Sequence, residues 1–296
     1  MILRVLILSN PGARNNRDHS RSGELVKYLM AGGARIELMS IRENSFRHSL
    51  SAREISKWDR IIAIGGDGTL SSLAQILVKR ENPPPLAIFP GGTVNDFATS
   101  SAVPTEPQLF CEGVLRGNTK NVDLGLCNGR FFINVLSAGH FTDAVSTVNS
   151  RAKSILGPAA YYIEGMRKFS ADGIAPFRLS WKCEQGSGSE DVMALVAANG
   201  PSVAGFKGLA PQGNYSDGLL DVIIIRACDA VDLIALFLVA LSRSHLDDYR
   251  IIHLRTDKIE FLPEKTLSFT ADGDAGGDLP GTVEIRSNCL TMIDFS

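Results

Sequence analysis

Residues 2–8 form a short aliphatic run, interrupted only by Arg4, that stops at Ser9-Asn10-Pro11-Gly12, the pattern of a buried strand entering a turn. Leu25 and Leu29 carry a helical period that ends at Gly32-Gly33, and Ile36, Leu38 and Ile41 predict a further strand. Residues 51–58 suit a helix; residues 60–64 are again a buried strand, stopped by Gly65-Gly66. A helix over 70–79 ends at Pro83-Pro84-Pro85, and a strand over 86–89 runs into Pro90-Gly91-Gly92. Strands alternating with helices in this way imply right-handed crossovers and a parallel sheet covered on both faces.

From about residue 120 the pattern changes. Short strand candidates recur at 131–136, 177–183, 192–198, 219–225, 259–262 and 266–270, separated by Gly, Asp and Ser turns. Helical segments interrupt them near 158–169 and 230–241, and Gly186-Ser-Gly-Ser189 reads as a short flexible hairpin loop. The expected fold class is α/β in two domains. Residues 1–122 would form a Rossmann-like α/β domain, and residues 123–296 an antiparallel β-sandwich.

Composition narrows the partners. Thirty Lys and Arg stand against 32 Asp and Glu, so bulk charge points neither to nucleic acid nor to an anionic membrane. Cys111, Cys127, Cys183, Cys228 and Cys289 are scattered without a Cys-x-x-Cys pair, which fits reduced thiols of a cytoplasmic protein. The N-terminus lacks a signal peptide's layout, and the longest apolar run, Leu233 to Leu241, is about half of what a membrane span needs. Any membrane substrate would be met from the water side.

The chemistry concentrates in two places. Gly65-Gly66-Asp67-Gly68-Thr69 lies between a buried strand and a helix, where glycines let backbone approach a phosphate and helix N–H groups face the anion. Asp67 would repel phosphate there unless it works through Mg²⁺ or accepts a proton. Pro90-Gly91-Gly92-Thr93-Val94-Asn95-Asp96-Phe97 repeats the arrangement after the next strand. Carboxyl ends of adjacent parallel strands lie side by side, so both loops would line one crevice, with Thr69, Thr93 and Asn95 offering hydrogen bonds and Asp67 and Asp96 carboxylates. A β-branched side chain at Gly92 would fill the space that phosphates need and would oppose a positive φ.

These paired motifs resemble the nucleotide site of the lipid kinases: soluble bacterial diacylglycerol kinases and the sphingosine and ceramide kinases. The resemblance to the bacterial diacylglycerol kinases runs almost end to end. It includes Val122-Asp123-Leu-Gly125, Phe132-Ile-Asn134, Gly157-Pro158-Ala-Ala-Tyr161-Tyr162, Asp217-Gly218-Leu219 and Asp272-Gly273-Asp274. The resemblance implies roles residue by residue. Asn10 and Pro11 match the first nucleotide-contacting loop, although Ala13-Arg14 replaces its usual Ser-Gly, and Ser40 stands where a nucleotide-contacting threonine is usual. Gly66, Asp67, Gly68, Thr69 and Thr93 would hold ATP and its Mg²⁺, with Asp96 and Asp123 near the catalytic metal. The alternative for these two carboxylates is capping of a helix and a turn. Asn214, Asp217 and Leu219 match a second, structural metal loop that could equally be a plain turn, because Ser216 replaces a usual acid. Asp274 stands where the family carries the Glu proposed as the base for the lipid hydroxyl, one methylene shorter. If Asp274 falls short, Asp67 remains the other candidate for that proton.

The expected function is therefore ATP- and Mg²⁺-dependent phosphorylation of diacylglycerol to phosphatidic acid. It would take place at a bilayer surface in the cytoplasm, in a cleft between the two domains. Sphingoid bases and phosphatidylglycerol are the other acceptors to weigh, and a catalytically silent nucleotide- or lipid-binding homologue is the rival of another class. A homodimer remains open. An NAD kinase would carry Asn-Glu where Asn95-Asp96-Phe97 stands. His19, His48, His140, His245 and His253 show no metal-ligand spacing.

Overall fold

The structure, a computed structural model, describes residues 2–9, 17–40, 50, 55–139, 175–203, 205–241 and 245–296. Asn10, Pro11 and the helix expected over 158–169 lie outside these residues, as does the first half of the helix expected over 51–58; of its second half, Ile55–Lys57 form a single 3-10 turn. The chain divides into two compact units, Met1–Leu124 with Ser287–Ser296, and Gly125–Arg286. The sequence alone places one boundary at 122/123; in the structure the last ten residues return to the first unit.

In the first unit β1 (Arg4–Ser9), α1 (Arg17–Ala31), β2 (Arg35–Ser40) and β3 (Arg60–Gly65) are followed by α2 (Asp67–Leu77) and β4 (Leu86–Pro90). Short α3 (Asp96–Ser100) and α4 (Pro107–Arg116) complete it before β5 (Thr119–Cys127) leads into the second unit. The sheet is parallel in the order β2-β1-β3-β4. Its register aligns Ser9 with Ser40 and Ile64, and Gly65 with Pro90, so every strand ends on the same edge. The aliphatic runs are what make this sheet. Val5, Ile7, Ile62, Ile64, Ala87 and Phe89 pack against Leu25 and Leu29 of α1 and Phe110, Cys111 and Val114 of α4. Burial of apolar surface at ~25 cal/mol per Å² drives that packing.

The second unit is antiparallel. Its strands are β6 (Arg130–Phe132), β7 (Val135–Gly139), β8 (Phe177–Cys183), β9 (Gly186–Ala198), β10 (Ser202–Val203), β11 (Phe206–Lys207) and β12 (Leu220–Arg226). After α5 (Ala230–Leu241) come β13 (Ile251–Thr256), β14 (Lys258–Pro263), β15 (Leu267–Ala271), β16 (Asp274–Leu279) and β17 (Gly281–Ile293). The first half of β9 pairs with β8, while its second half lies between β7 and β12. Gly186–Ser189 is therefore not a loop, as its composition predicts, but the start of β9. Gly186 pairs with Cys183, and the Ser180 and Ser189 hydroxyls share a 2.9 Å hydrogen bond across the ladder.

The strand expected over 131–136 breaks at Ile133-Asn134 into β6 and β7. Leu136, Leu195, Val222, Ile259, Phe261, Phe269 and Val283 share the main core of this unit. Among the described residues no helix is long and apolar enough to cross a membrane. All five cysteines are free, and burial pushes the Cys111 and Cys127 thiols up to about 12, which keeps both protonated and unreactive at neutral pH.

Candidate active site

In the first unit the two glycine-rich loops touch backbone to backbone. Gly66 is the N-cap of α2, and a Cβ placed on it would stand 3.0 Å from the Gly92 Cα. The converse contact is tighter: a Cβ on Gly92 would meet the Gly66 Cα at 2.6 Å and the Asn95 Oδ1 at 2.8 Å. The Gly91 N–H donates to the Gly65 carbonyl at 2.8 Å, which carries strand pairing into the loops. Asn95, left-handed at φ 56°, closes the second loop on itself. Its Oδ1 accepts from the Gly92 N–H at 2.9 Å and its Nδ2 donates to the Gly92 carbonyl at 2.8 Å. Asx side chains suit this conformation because they can replace a backbone partner locally.

Asp67 ties the loops together from the other side. Its Oδ2 accepts from the Asp96 N–H at 3.0 Å and its Oδ1 from the Phe97 N–H at 3.2 Å, so one carboxylate caps α3. Thr69 is buried with its side chain against Gly65, whereas Thr93 is exposed on the second loop. Ser40 is exposed at the carboxyl end of β2, on the same sheet edge as both loops. Gly68 lies in the first turn of α2. That helix end offers N–H groups and a partial positive charge to an anion.

Asp96 and Asp123 are both buried. Asp123 on β5 accepts from the N–H of Asn288 at 2.8 Å, where β17 kinks through a left-handed residue at φ 56°.

In the second unit the turn between β15 and β16 carries Asp272 and Gly273 at positive φ, 52° and 87°. The Asp272 carboxylate accepts three backbone N–H groups, from Ile133 at 2.8 Å, Asn134 at 2.8 Å and Val135 at 3.1 Å. This is why the expected strand breaks there. Asn134 in turn accepts from the Tyr215 hydroxyl at 2.7 Å, and Asn199 donates to the Ile133 carbonyl at 2.8 Å. Two residues beyond this clamp, at the start of β16, Asp274 has a side chain 56 % exposed and a 3.2 Å ion pair with Arg130. Asp272→Ala should strip three N–H groups of a charged acceptor and cost ~3 kcal/mol. For a unit of this size that is a fall of roughly 6–12 °C in thermal midpoint. Differential scanning calorimetry checks it, and an unchanged midpoint would remove Asp272 from the scaffold.

The loop that resembles a structural metal site is occupied differently. Asp217 Oδ1 accepts from the Leu219 N–H at 3.0 Å, and Asp217 Oδ2 pairs with Arg255 Nη2 at 2.6 Å. Arg255 also donates to the Gln212 carbonyl at 3.4 Å, and Asn214 Oδ1 accepts from the N–H and hydroxyl of Ser216. Buried Asp221 stands 3.7 Å from Arg255 Nε and accepts from the His253 Nε2–H at 2.8 Å. A guanidinium thus stands where a divalent ion would need Asp217, and this loop does not fit one. Among the described residues no three His, Cys, Asp or Glu side chains converge on a point that could hold a metal. Chelation of nucleotide-free protein is therefore expected to leave the thermal midpoint in place, while Arg255→Met lowers stability by ~1–2 kcal/mol. A chelator-induced fall in the midpoint of the parent protein would contradict this.

Arg130, Arg255 and the acceptor role of Asp272 escape a reading of the sequence. Only Arg130 has a local signal, the Asn128-Gly129 hairpin turn just before it.

A parallel sheet whose strand ends carry two touching glycine-rich loops belongs to the class of open α/β folds that bind nucleotides outside the carboxyl ends of their strands. Residues 4–127 match the diacylglycerol kinase catalytic domain, and residues 134–294 match the YegS C-terminal NAD kinase beta sandwich-like domain. A diacylglycerol kinase of Bacillus subtilis is 31% identical over 235 residues, covering 79% of this chain and 77% of that protein. One of Staphylococcus saprophyticus is 31% identical over 232 residues, covering 78% and 75%. A crystal structure of a provisionally named diacylglycerol kinase from Bacillus anthracis superposes with a TM-score of 0.83 at 25% identity, over 98% of this chain and 95% of that one. This chain belongs to the diacylglycerol kinase family and is a lipid kinase, a transferase whose family membership implies use of ATP.

Proposed function

We propose that the chain transfers the γ-phosphoryl group of ATP, as its Mg²⁺ complex, to the free hydroxyl of diacylglycerol, giving phosphatidic acid and ADP. The observation that carries the nucleotide half of this reading is the backbone contact between Gly66 and Gly92. Without side chains at their junction the two loops close to backbone contact beside the N-terminus of α2, whose N–H groups suit phosphate oxygens. Gly65, Gly68, Thr69, Thr93, Asn95 and Ser40 belong to or align with these loops, and Asp67 holds the second against the first.

Mg²⁺ takes one or two carboxylates together with phosphate oxygens, and Asp96 and Asp123 are the residues that would hold it here. When bound, it neutralises the charge of the transferring group. Phosphoryl transfer depends mainly on positioning and charge neutralisation, so the protein's remaining task is to orient the hydroxyl and take its proton. Asp274 is the proposed proton acceptor. The hydroxyl oxygen attacks the γ-phosphorus, the bond to the β-phosphate oxygen breaks, and the hydroxyl proton passes to the Asp274 carboxylate.

The choice of diacylglycerol as acceptor rests on the relatives of that name. The lipid would be met at the bilayer surface from the cytoplasmic side. ADP release can be followed in vesicles carrying diacylglycerol, a sphingoid base, phosphatidylglycerol or triacylglycerol. The reading expects release with diacylglycerol and none with triacylglycerol, which has no hydroxyl. Preference for a sphingoid base or phosphatidylglycerol would reassign the acceptor, and silence with every lipid would contradict the reading.

A further inference from the structure

Arg130 and Asp274 lie 144 positions apart, and the route by which the fold joins them is specific. The hairpin of β5 and β6 turns on Asn128 and Gly129, both left-handed at φ 47° and 80°, the conformation that a two-residue turn matched to strand twist requires. The Asn128 amide then donates to the Asp278 carbonyl at 2.7 Å and the Pro280 carbonyl at 3.3 Å. The hairpin tip is thereby fixed to the far end of β16. Arg130 follows the turn directly, pairing with Cys127 in the ladder. Its side chain is 19% exposed and reaches Asp274 Oδ2 at 3.2 Å. Its Nε is buried without a hydrogen-bond partner among the described residues, so the guanidinium is withdrawn from water and directed at one carboxylate oxygen.

The other half of the pair is accessible. With its side chain 56% exposed, Asp274 can be approached from solvent while Oδ2 is held. The Asp272 clamp fixes the backbone two residues before it. A short side chain anchored at both its backbone and one oxygen presents the second oxygen in a single direction.

We propose that Arg130 is a positioning residue for Asp274: it holds Oδ2 so that Oδ1 faces the acceptor hydroxyl. This inference rests on the reading of Asp274 as the base. A general base works only within ~2.6–3.2 Å of its proton, and displacement by about an ångström can cost roughly 10²-fold in rate.

The test measures kcat and the KM for ATP, with diacylglycerol vesicles, for the parent, Arg130→Gln, Arg130→Lys, Asp274→Asn and the double variant Arg130→Gln/Asp274→Asn. Thermal melts confirm that each variant is folded. Expected is a fall of ~10–10²-fold in kcat for Arg130→Gln with the KM for ATP unchanged, partial recovery with Lys, and no further loss when Gln is added to Asp274→Asn. A folded Arg130→Gln enzyme with parental kcat, or the same fold-loss in the Asn background, overturns the inference. If Asp274→Asn itself keeps the parental rate, the reading of Asp274 as the base fails first, and that result is separate from the behaviour of Arg130.

Discussion

Gly92→Val is expected to abolish ATP binding while the protein remains folded. Carbon atoms in contact settle at about 3.5–4.0 Å, and the first atom of the new side chain would stand 2.6 Å from the Gly66 Cα and 2.8 Å from the Asn95 Oδ1. Neither neighbour can give way locally. Gly66 is fixed between β3 and α2, and Asn95 is held by its two hydrogen bonds to Gly92 itself. The loops must part, breaking those two bonds and straining the one from Gly91 to Gly65. The cradle opens at the junction where phosphates would lie.

A loss of at least ~10²-fold in ATP affinity, close to 3 kcal/mol, is the expected size. Calorimetric titration with ATP checks it, and an unchanged dissociation constant in a folded variant would refute the cradle. The reason differs in part from the one the sequence offers. Gly92 is not left-handed, so its requirement is close approach rather than a positive φ.

What the sequence made legible follows a physical divide. Parallel strands buried on both faces are continuous apolar runs, so β1, β3 and β4 announce themselves, and the glycines after them mark the loops. Helix α5 is equally plain. Elements that depend on distant partners are not. β17 is not among the strands the sequence predicts; Ser287-Asn288-Cys289 interrupts its apolar pattern, and the left-handed Asn288 within it is held by Asp123, 165 positions away. The break between β6 and β7 is imposed by the Asp272 carboxylate, whose nearest acceptance is 137 positions distant. Helix α4 has Pro107 at its start and Gly117 in the left-handed C-cap, signals that were present but offset by Gly113 in its interior. β16, with two glycines in six residues, has almost no strand signature. At the candidate site the loops are local and therefore readable. The charges set against Asp217 and Asp274 come from Arg255 and Arg130, remote in sequence, and only the fold supplies them.

Asp274→Asn carries the second large expected effect. The substitution keeps the size and shape of the side chain, and a carboxamide can still accept a hydrogen bond from Arg130, so the fold and the ion-pair position survive. What it removes is the ability to take a proton. General-base catalysis is typically worth ~10²–10⁴-fold, so phosphorylation of diacylglycerol should fall by that factor while ATP binding is unchanged. Asp274→Glu, one methylene longer, should raise the rate on diacylglycerol. Asp67, with one oxygen on the Asp96 N–H and the other on the Phe97 N–H, is a loop-positioning group. If it nevertheless takes the proton, Asp274→Asn would retain a substantial rate. Initial rates of the three forms at saturating MgATP distinguish these cases.

The central claim, transfer of phosphoryl from ATP to a diacylglycerol hydroxyl, is tested most directly by following the phosphorus. Purified protein is incubated with γ-labelled ATP and vesicles containing diacylglycerol, and the extracted lipid is compared with authentic phosphatidic acid. The account predicts a single labelled lipid with the mobility of phosphatidic acid, formed mole for mole with ADP. Label appearing only as inorganic phosphate, or no label in any lipid while ATP binds, would contradict it.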